Sequence, residues 1–389
     1  MEKDIFNVFG ELVFDSKKIK ASLSETTYNK YLECKENGVQ LDQESADEIA
    51  TAMKNWALEK GCTHFTHWFH PLTGLTAEKH EAFLDKNEFD EPILKFNGKT
   101  LIKGEPDASS FPSGGLRSTF EARGYTYWDV SSPVFIRDKV LCIPSVFVSY
   151  YGESLDKKGP LLKSIAFVNE RATKLLNILG YKDVKKVTPM VGLEQEYFLI
   201  DRNLYKKRID LILVGRTLLG DKPPKGQEFE DHYFGSIPKR VQAFMSDVDL
   251  ELWRLGIYTK TEHNEVAPRQ FEWAPLYQDV NVAVDQNQII MDILKRVAYK
   301  HKFACLLHEK PFAGINGSGK HNNYSLIANN GINLFDPSNE MLFSLTTACF
   351  IKAVDTYPEL LRLSAANPGN DHRLGCNEAT PAIISIFLG

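Results

Sequence analysis

Apolar residues recur at helical spacing in the segment from residue 41 to residue 61. Asp42 is a suitable N-terminal cap, and a glycine closes the segment. The pattern therefore predicts an amphipathic helix. Its apolar face would consist of Ala46, Ile49, Ala50, Met53, Trp56 and Ala57.

From residue 63 to residue 151 the pattern changes, because short β-prone runs alternate with turn-forming clusters. Three runs predict strands, at 66–69, 92–96 and 140–150. We interpret this region as a small strand-rich domain. Residues 152–160 have the composition of a linker.

A larger α+β domain is predicted after this linker. Its pattern indicates a helix at 161–180, a strand at 186–200 and two long helices at 282–309 and 344–363. The chain has no internal repeat.

Composition narrows the class of protein. The 389 residues are 43% hydrophobic and 25% charged, as in globular domains, and the net charge of -5 disfavours nucleic-acid binding. An acidic N-terminal segment and the lack of a long apolar run disfavour secretion and membrane insertion. The six cysteines form no C-x-x-C pair, so we expect reduced thiols in the cytoplasm.

The first candidate for chemistry is the pair Glu194 and Glu196 in the strand predicted at 186–200. A two-residue period places both carboxylates on one face of that strand. In apolar surroundings such a pair shares a proton or binds a cation, because buried ionised carboxylates need a partner. A solvated sheet face is the alternative.

Two further segments carry candidate ligands. Glu265 and Glu272 flank a proline turn, although acids near a turn are commonly only surface residues. Residues 314–320 match part of a phosphate-binding P-loop, but His321 stands where that motif needs serine or threonine, and a helical pattern precedes the loop instead of a strand. We favour a glycine loop that delivers one imidazole, with a turn-capping histidine as the alternative.

Four glutamates and one histidine are suitable ligands for two divalent cations. Oxygen donors suit Mg²⁺, and the imidazole makes Mn²⁺ acceptable. Two such ions can bridge the β- and γ-phosphates of a nucleotide and orient a carboxylate nucleophile. The ligand set therefore suggests phosphoryl transfer.

The order of these motifs, E-x-E, then the acid pair around a turn, then N-G-S-G-x-H, resembles the glutamine synthetase family. The type III subfamily is the closer resemblance, through residues 66–80, 111–129 and 370–389. It implies an α+β fold with a small β-grasp-like domain and a catalytic domain built on a curved antiparallel sheet. The implied division is an N-terminal helical extension at 1–60, the β-grasp domain at 61–155 and the catalytic domain at 156–389.

The resemblance also implies site residues and an activity, the ATP-dependent ligation of ammonia to glutamate through a γ-glutamyl phosphate. Glu196, Glu265 and Glu272 would hold the metal that faces glutamate and ammonia, and Glu194 and His321 the metal that faces the nucleotide phosphates. The other implied residues are Asn316, Gly317 and Arg373 for the amino-acid substrate, Tyr277 and Ser325 for the nucleotide, and Glu378 and Asp107 for catalysis. For Asp107 a plain turn aspartate is the alternative.

The chain departs from the family pattern at Asn323, where many relatives have a second histidine, and at Lys320. Its apolar end at Gly389 suggests an interrupted chain, with one metal ligand expected beyond it. Two alternatives follow: a ligase for another amine, or a non-catalytic, regulatory member of the family. The resemblance further implies a homo-oligomer of stacked rings with sites between subunits.

Overall fold

A computed structural model describes residues 5–71, 75–106, 124–221, 233–317, 321–336 and 338–365. The chain divides into two units: the first comprises Met1–Ala166 and Trp253–Ile257, and the second comprises Phe167–Leu252 and Tyr258–Gly389. Within the described ranges, every helix is too short or too polar to cross a membrane. The predicted boundaries at residues 60 and 155 stay predictions.

The first unit contains helices and short strands. In chain order they are α1 (Ile5–Val8), β1 (Val13–Phe14), α2 (Ser16–Ser22), α3 (Glu25–Asn37), α4 (Gln43–Glu59), β2 (His64–Trp68), β3 (Glu81–Ala82), β4 (Leu84–Lys86), β5 (Pro92–Leu94), α5 (Gly98–Ile102), β6 (Lys103–Gly104), β7 (Gly124–Trp128), β8 (Val134–Arg137) and β9 (Val140–Ser149).

Strand β9 organises the sheet of this unit. Its first half pairs with β2 in parallel and with β8, and its second half pairs with β7. Helix α4 lies where the periodicity predicts it, with Asp42 accepting a hydrogen bond from the backbone of Ser45 at 2.9 Å. All six predicted apolar residues of α4 are buried, and several share one core with Phe65 and Ile143 of the sheet.

The second unit contains most of the next helix, further helices and the strands of two sheets. The elements from here on are α6 (Lys158–Ile178), β10 (Val187–Leu193), β11 (Gln195–Asp201), α7 (Arg202–Tyr205), α8 (Ile209–Val214), α9 (Lys239–Arg254), β12 (Thr259–Asn264), β13 (Gln270–Pro275), β14 (Gln278–Asp279), α10 (Val280–Lys300), β15 (Phe303–Leu306), β16 (Asn322–Ala328), α11 (Glu340–Thr356) and α12 (Pro358–Ala365).

Two antiparallel sheets form the framework of the second unit. One has the strand order β14-β10-β16, and the other has the order β12-β13-β11-β15. The predicted strand at 186–200 is therefore two strands, because β10 belongs to one sheet and β11 to the other. The chain passes between the two sheets at Glu194.

The two long helices predicted in the second unit are shorter than expected. Helix α10 ends at Lys300, and residues 303–306 form β15, since Leu306 pairs with Phe198 of β11. The other helix is interrupted before Pro358, because proline restricts the preceding residue and lacks a backbone donor. The predicted linker at 152–160 is also partly wrong, because α6 already begins at Lys158.

Candidate metal centre

Adjacent strand ends bring the predicted ligands together. Glu196 of β11 lies directly opposite Glu272 of β13 in the antiparallel register. On the other side of β13, His263 of β12 lies opposite Glu272. Three acid or imidazole side chains are thus aligned across neighbouring strands, where paired side chains point to the same face.

A first cluster consists of Glu194, Glu196 and His321, whose ligand atoms lie within 4.8 Å of one another. The backbone of Glu194 donates to the carbonyl of His321 at 3.1 Å. The carboxylate of Glu194 contacts Nδ1 of His321 at 2.9 Å and accepts from the amide of Asn323 at 3.0 Å. The position of the glycine-loop histidine is therefore fixed by the residue at which the two sheets meet.

A second cluster consists of His263, Glu265 and Glu272, again within 4.8 Å. Nδ1 of His263 donates to the carbonyl of Asn264 at 2.7 Å, which leaves Nε2 with its lone pair. This nitrogen lies 3.2 Å from a carboxyl oxygen of Glu272. His263 is thus oriented as a ligand, with its other ring nitrogen held by the backbone, as is usual for metal-binding imidazoles.

The carboxylates of both clusters repel one another. Burial raises the pKa of Glu272 to about 9, and a hydrogen bond with Glu265 and the charges of Glu194, Glu265 and Glu196 act in the same direction. Within the described ranges, the ion-pair partners of Glu194, Glu265 and Glu272 are imidazoles, with no lysine or arginine among them. The site concentrates negative charge that a bound cation would compensate.

Divalent cations fit this donor set. Carboxylate oxygens are the ligands that Mg²⁺ prefers, and the imidazoles also suit Mn²⁺. The sequence-based assignment placed Glu196 with Glu265 and Glu272, whereas the distances also group Glu196 with Glu194 and His321. Because Glu196 adjoins both clusters, its assignment to one ion stays a prediction.

The structure adds two residues that the motifs did not single out as ligands or neighbours. His263 reaches the site only through the register between β12 and β13, which brings it to Glu272. The ring of Tyr233 lies 4.5 Å from the ring of His263. Burial raises the pKa of Tyr233, and the charges of all four glutamates add to this shift. No sequence pattern indicated this tyrosine.

The predicted substrate loop follows β15. Asn316 is half-buried, and Gly317 is buried against the preceding chain. A Cβ atom on Gly317 would lie 2.1 Å from the carbonyl oxygen of Glu309, so only glycine fits there. This loop follows a largely buried strand, contrary to our expectation, but it leads into β16 and not into the helix that a P-loop requires.

The predicted nucleotide residues flank β10. Ser325 lies opposite Met190 in the register of β16 with β10, and its hydroxyl donates to Asn333 at 2.7 Å. The Cβ atom of Tyr277 lies close to Gly192, on the same side as Asn323. Both residues therefore lie along the strand that leads to Glu194. Asp107, Arg373 and Glu378 lie outside the described residues, and their roles stay predictions.

Two family profiles match this chain. The profile described as "Glutamine synthetase type III N terminal" matches residues 5–164, and the profile described as "Glutamine synthetase, catalytic domain" matches residues 170–385. Among solved structures, the "CryoEM Plasmodium falciparum glutamine synthetase" has a TM-score of 0.60 at 20% identity, over 91% of this chain and 64% of that one. This likeness supports the mixed α/β fold with an antiparallel sheet.

Two relatives are similar at the level of sequence. A "Glutamine synthetase" from Bacteroides fragilis is 53% identical over 97% of this chain, and a "Type-3 glutamine synthetase" from Dictyostelium discoideum is 52% identical over 95%. The chain spans 52% of the length of each. The resemblance predicted from the ordered motifs is confirmed: the chain belongs to the glutamine synthetase family and to its type III branch.

Proposed function

We propose that this chain provides the metal-binding part of an enzyme that joins ammonia to L-glutamate with ATP. The carrying observation is the alignment of Glu196 with Glu272, with Glu194, Glu265 and two histidines beside them, in a chain of this family. Two divalent cations, Mg²⁺ or Mn²⁺, would supply charge compensation at the transferred phosphoryl group when bound.

The proposed reaction has two steps. The γ-carboxylate oxygen of glutamate attacks the γ-phosphorus of ATP, the bond to the β-phosphate oxygen breaks, and ADP leaves. The nitrogen of ammonia then attacks the acyl carbon of γ-glutamyl phosphate, and phosphate leaves to give glutamine. Ammonium must lose a proton before this attack, and we propose Asp107 and Glu378 for the acid–base work.

The arrangement along β16 supports the proposed nucleotide position. His321, Asn323 and Ser325 follow one another with the two-residue period of a strand. Ser325 is thus four residues from His321, or about 13 Å at ~3.3 Å per residue. A nucleotide with its phosphates at His321 could extend along this strand toward Ser325 and Tyr277. Asn316, Gly317 and Arg373 are the residues proposed for glutamate.

Phosphate release is the direct test of this function. We expect release from ATP to require both glutamate and ammonium, and we expect Glu194→Ala to lower it at least about 100-fold, since even outer-shell changes at metal sites lower activity 10–100-fold. Glu36→Gln, an exposed change in α3, is the matched control. Release that prefers methylamine over ammonium would favour a ligase for another amine. Tight nucleotide and metal binding without any release would favour a regulatory protein.

Assembly and location are parts of the same proposal. We propose a homo-oligomer of stacked rings in which Asp107 of one subunit serves the site of a neighbour. Light scattering should then give a mass several times that of the chain, and a fully active monomer would contradict this. A cytoplasmic location is consistent with the cysteines of the described residues, which form no disulfide: Cys34, Cys62, Cys142, Cys305 and Cys349.

A further inference from the structure

A polar cavity lies in the first unit, between β2, β7 and the segment around α5. Its volume is about 510 Å³, which is within the range of small-molecule sites. Phe65 and His67 of β2 contribute to its wall together with Phe69, which directly follows β2, and Thr126 contributes from β7. None of these residues belongs to the metal centre of the second unit.

Lysines dominate the charge of this cavity. Lys79, Lys95, Lys99 and Lys103 line it, against two glutamates, Glu81 and Glu105. A polar cavity with an excess of ammonium groups attracts anions. Lysine presents compact point charges, and the described lining residues include no arginine, so this lining suits a phosphate group better than a planar carboxylate.

Two of the four lysines are already engaged within the chain. Nζ of Lys95 lies 3.1 Å from Asp85, and Nζ of Lys103 lies 3.7 Å from Glu105 and 3.8 Å from the ring centre of Tyr125. Among the described residues, Lys79 and Lys99 have no carboxylate within ion-pair distance. These two side chains can therefore turn their charges to a ligand.

The histidine of the wall does not add a charge. Burial lowers the pKa of His67 to about 4. In the neutral ring, Nε2–H donates to the carbonyl of Thr100 at 2.9 Å, and the hydroxyl of Ser145 lies 2.9 Å from Nδ1. His67 thus fixes α5 against the sheet, and among the described lining residues the four lysines outnumber the two glutamates.

The wall of the cavity is closely packed around Gly104 and contains the hydroxyl of Thr126. A Cβ atom on Gly104 would lie 2.4 Å from Oγ1 of Thr126 and 3.1 Å from the ring of His67. Oγ1 of Thr126 is buried and has no hydrogen-bond partner in the described part of the chain. Buried hydroxyls without a partner are rare in folded proteins, and a bound water molecule or anion is one way to supply the missing acceptor.

We propose that this lysine-lined cavity binds a small phosphate-bearing ligand, with Lys79 and Lys99 as its charge partners. The lining also has an apolar part, to which Phe65, Phe69 and Pro106 belong, so a phosphate monoester with a ring should bind more tightly than inorganic phosphate. The site is independent of the function proposed for the second unit.

Calorimetric titration of the intact protein with phenyl phosphate and with inorganic phosphate tests this site. We expect saturable binding of phenyl phosphate, competition by inorganic phosphate, and a rise in Kd of about tenfold or more for Lys79→Ala/Lys99→Ala, since hydrogen bonds to charged groups contribute this much. Lys79→Arg/Lys99→Arg should retain most of the affinity.

The matched control is Lys17→Ala/Lys35→Ala, which removes the same charge from two exposed helix positions of the first unit. Its Kd should stay within about twofold of the original, because general charge effects are screened by salt. Equal weakening by both double variants would show a nonspecific charge effect and overturn the proposal. The absence of saturable binding of either probe at millimolar concentration would overturn it as well.

Discussion

Two regions of this chain bury carboxylates in opposite ways. In the first unit, Asp129 and Lys158 form an ion pair at 2.9 Å, with side chains only 5% and 2% exposed. In the second unit, four glutamates face one another and two imidazoles, and the pKa of Glu272 rises to about 9, chiefly through burial. The first arrangement supplies its own countercharge. In the second, the ion-pair partners of Glu194, Glu265 and Glu272 within the described ranges are imidazoles, so a bound cation would compensate the negative charge.

The largest effect is expected when the ion pair of Asp129 and Lys158 is broken. Lys158→Met leaves the buried carboxylate of Asp129 without its ammonium partner, and this should destabilise the protein by about 3–5 kcal/mol. Chemical denaturation measures the change. Asp129→Asn/Lys158→Met, which removes both charges, should restore part of the stability. A fall in the unfolding free energy below about 1 kcal/mol for Lys158→Met would mean that Asp129 does not need its ammonium partner.

The next effect concerns metal affinity. Glu196→Ala should lower the affinity for Mn²⁺ at least about 100-fold, because direct ligands matter more than outer-shell residues, whose loss already lowers affinity 10–100-fold. Its unfolding free energy without metal should fall less than that of Lys158→Met, because removing one of several repelling charges offsets part of the loss of the hydrogen bond from Gln270. Calorimetry and denaturation give both values, with Glu36→Gln as the exposed control. Strong destabilisation of the metal-free variant would make the cluster structural, like the pair in the first unit.

The pH dependence of stability tests the glutamate clusters of the second unit. The pKa of Glu272 is raised in the folded protein, from 4.5 to about 9, so its contribution to stability is complete below pH 4.5 and is lost as the pH rises toward 9. Between pH 7 and 9 the metal-free protein should lose stability, and Glu272→Gln should flatten this slope. Saturating Mg²⁺ should stabilise the protein more at pH 9 than at pH 7, because the metal binds the ionised carboxylate. A metal-free stability that rises over this interval would contradict the account.

The smallest effect is expected at Tyr233. Its ring packs on His263, and aromatic pairs contribute about 0.5–1.5 kcal/mol. Tyr233→Ala should therefore lower Mn²⁺ affinity about two- to tenfold, whereas Tyr233→Phe, which keeps the ring, should change it less than about twofold. If both variants lose the same affinity in a Mn²⁺ titration, the hydroxyl and not the ring positions the histidine.

Local signals predicted part of this fold from the sequence. The capped helix α4 was predicted because Asp42 and the 3.6-residue period act within one segment. Strand β15 was missed because a short apolar run beside a long helical pattern is ambiguous, and only its pairing with β11 decides its conformation. For the same reason the break at Glu194 was not predicted, since it depends on two sheets formed by distant parts of the chain.

The candidate site was also predicted only in part. The chemistry of Glu194, Glu196, Glu265, Glu272 and His321 indicated a cation site, and the structure brings these side chains together. The sequence could not indicate the position of His263 relative to Glu272, because that depends on strand register. Tyr233 also reaches the site through tertiary structure alone.

Titration of the unmodified protein with Mn²⁺ tests directly whether the facing glutamates form a divalent cation site. We expect saturable binding of two ions per chain, with proton release on binding at pH 8 and with loss of that release in Glu272→Gln. Binding of no ion at millimolar Mn²⁺, or binding that is unchanged in both stoichiometry and proton release by Glu272→Gln, would contradict it.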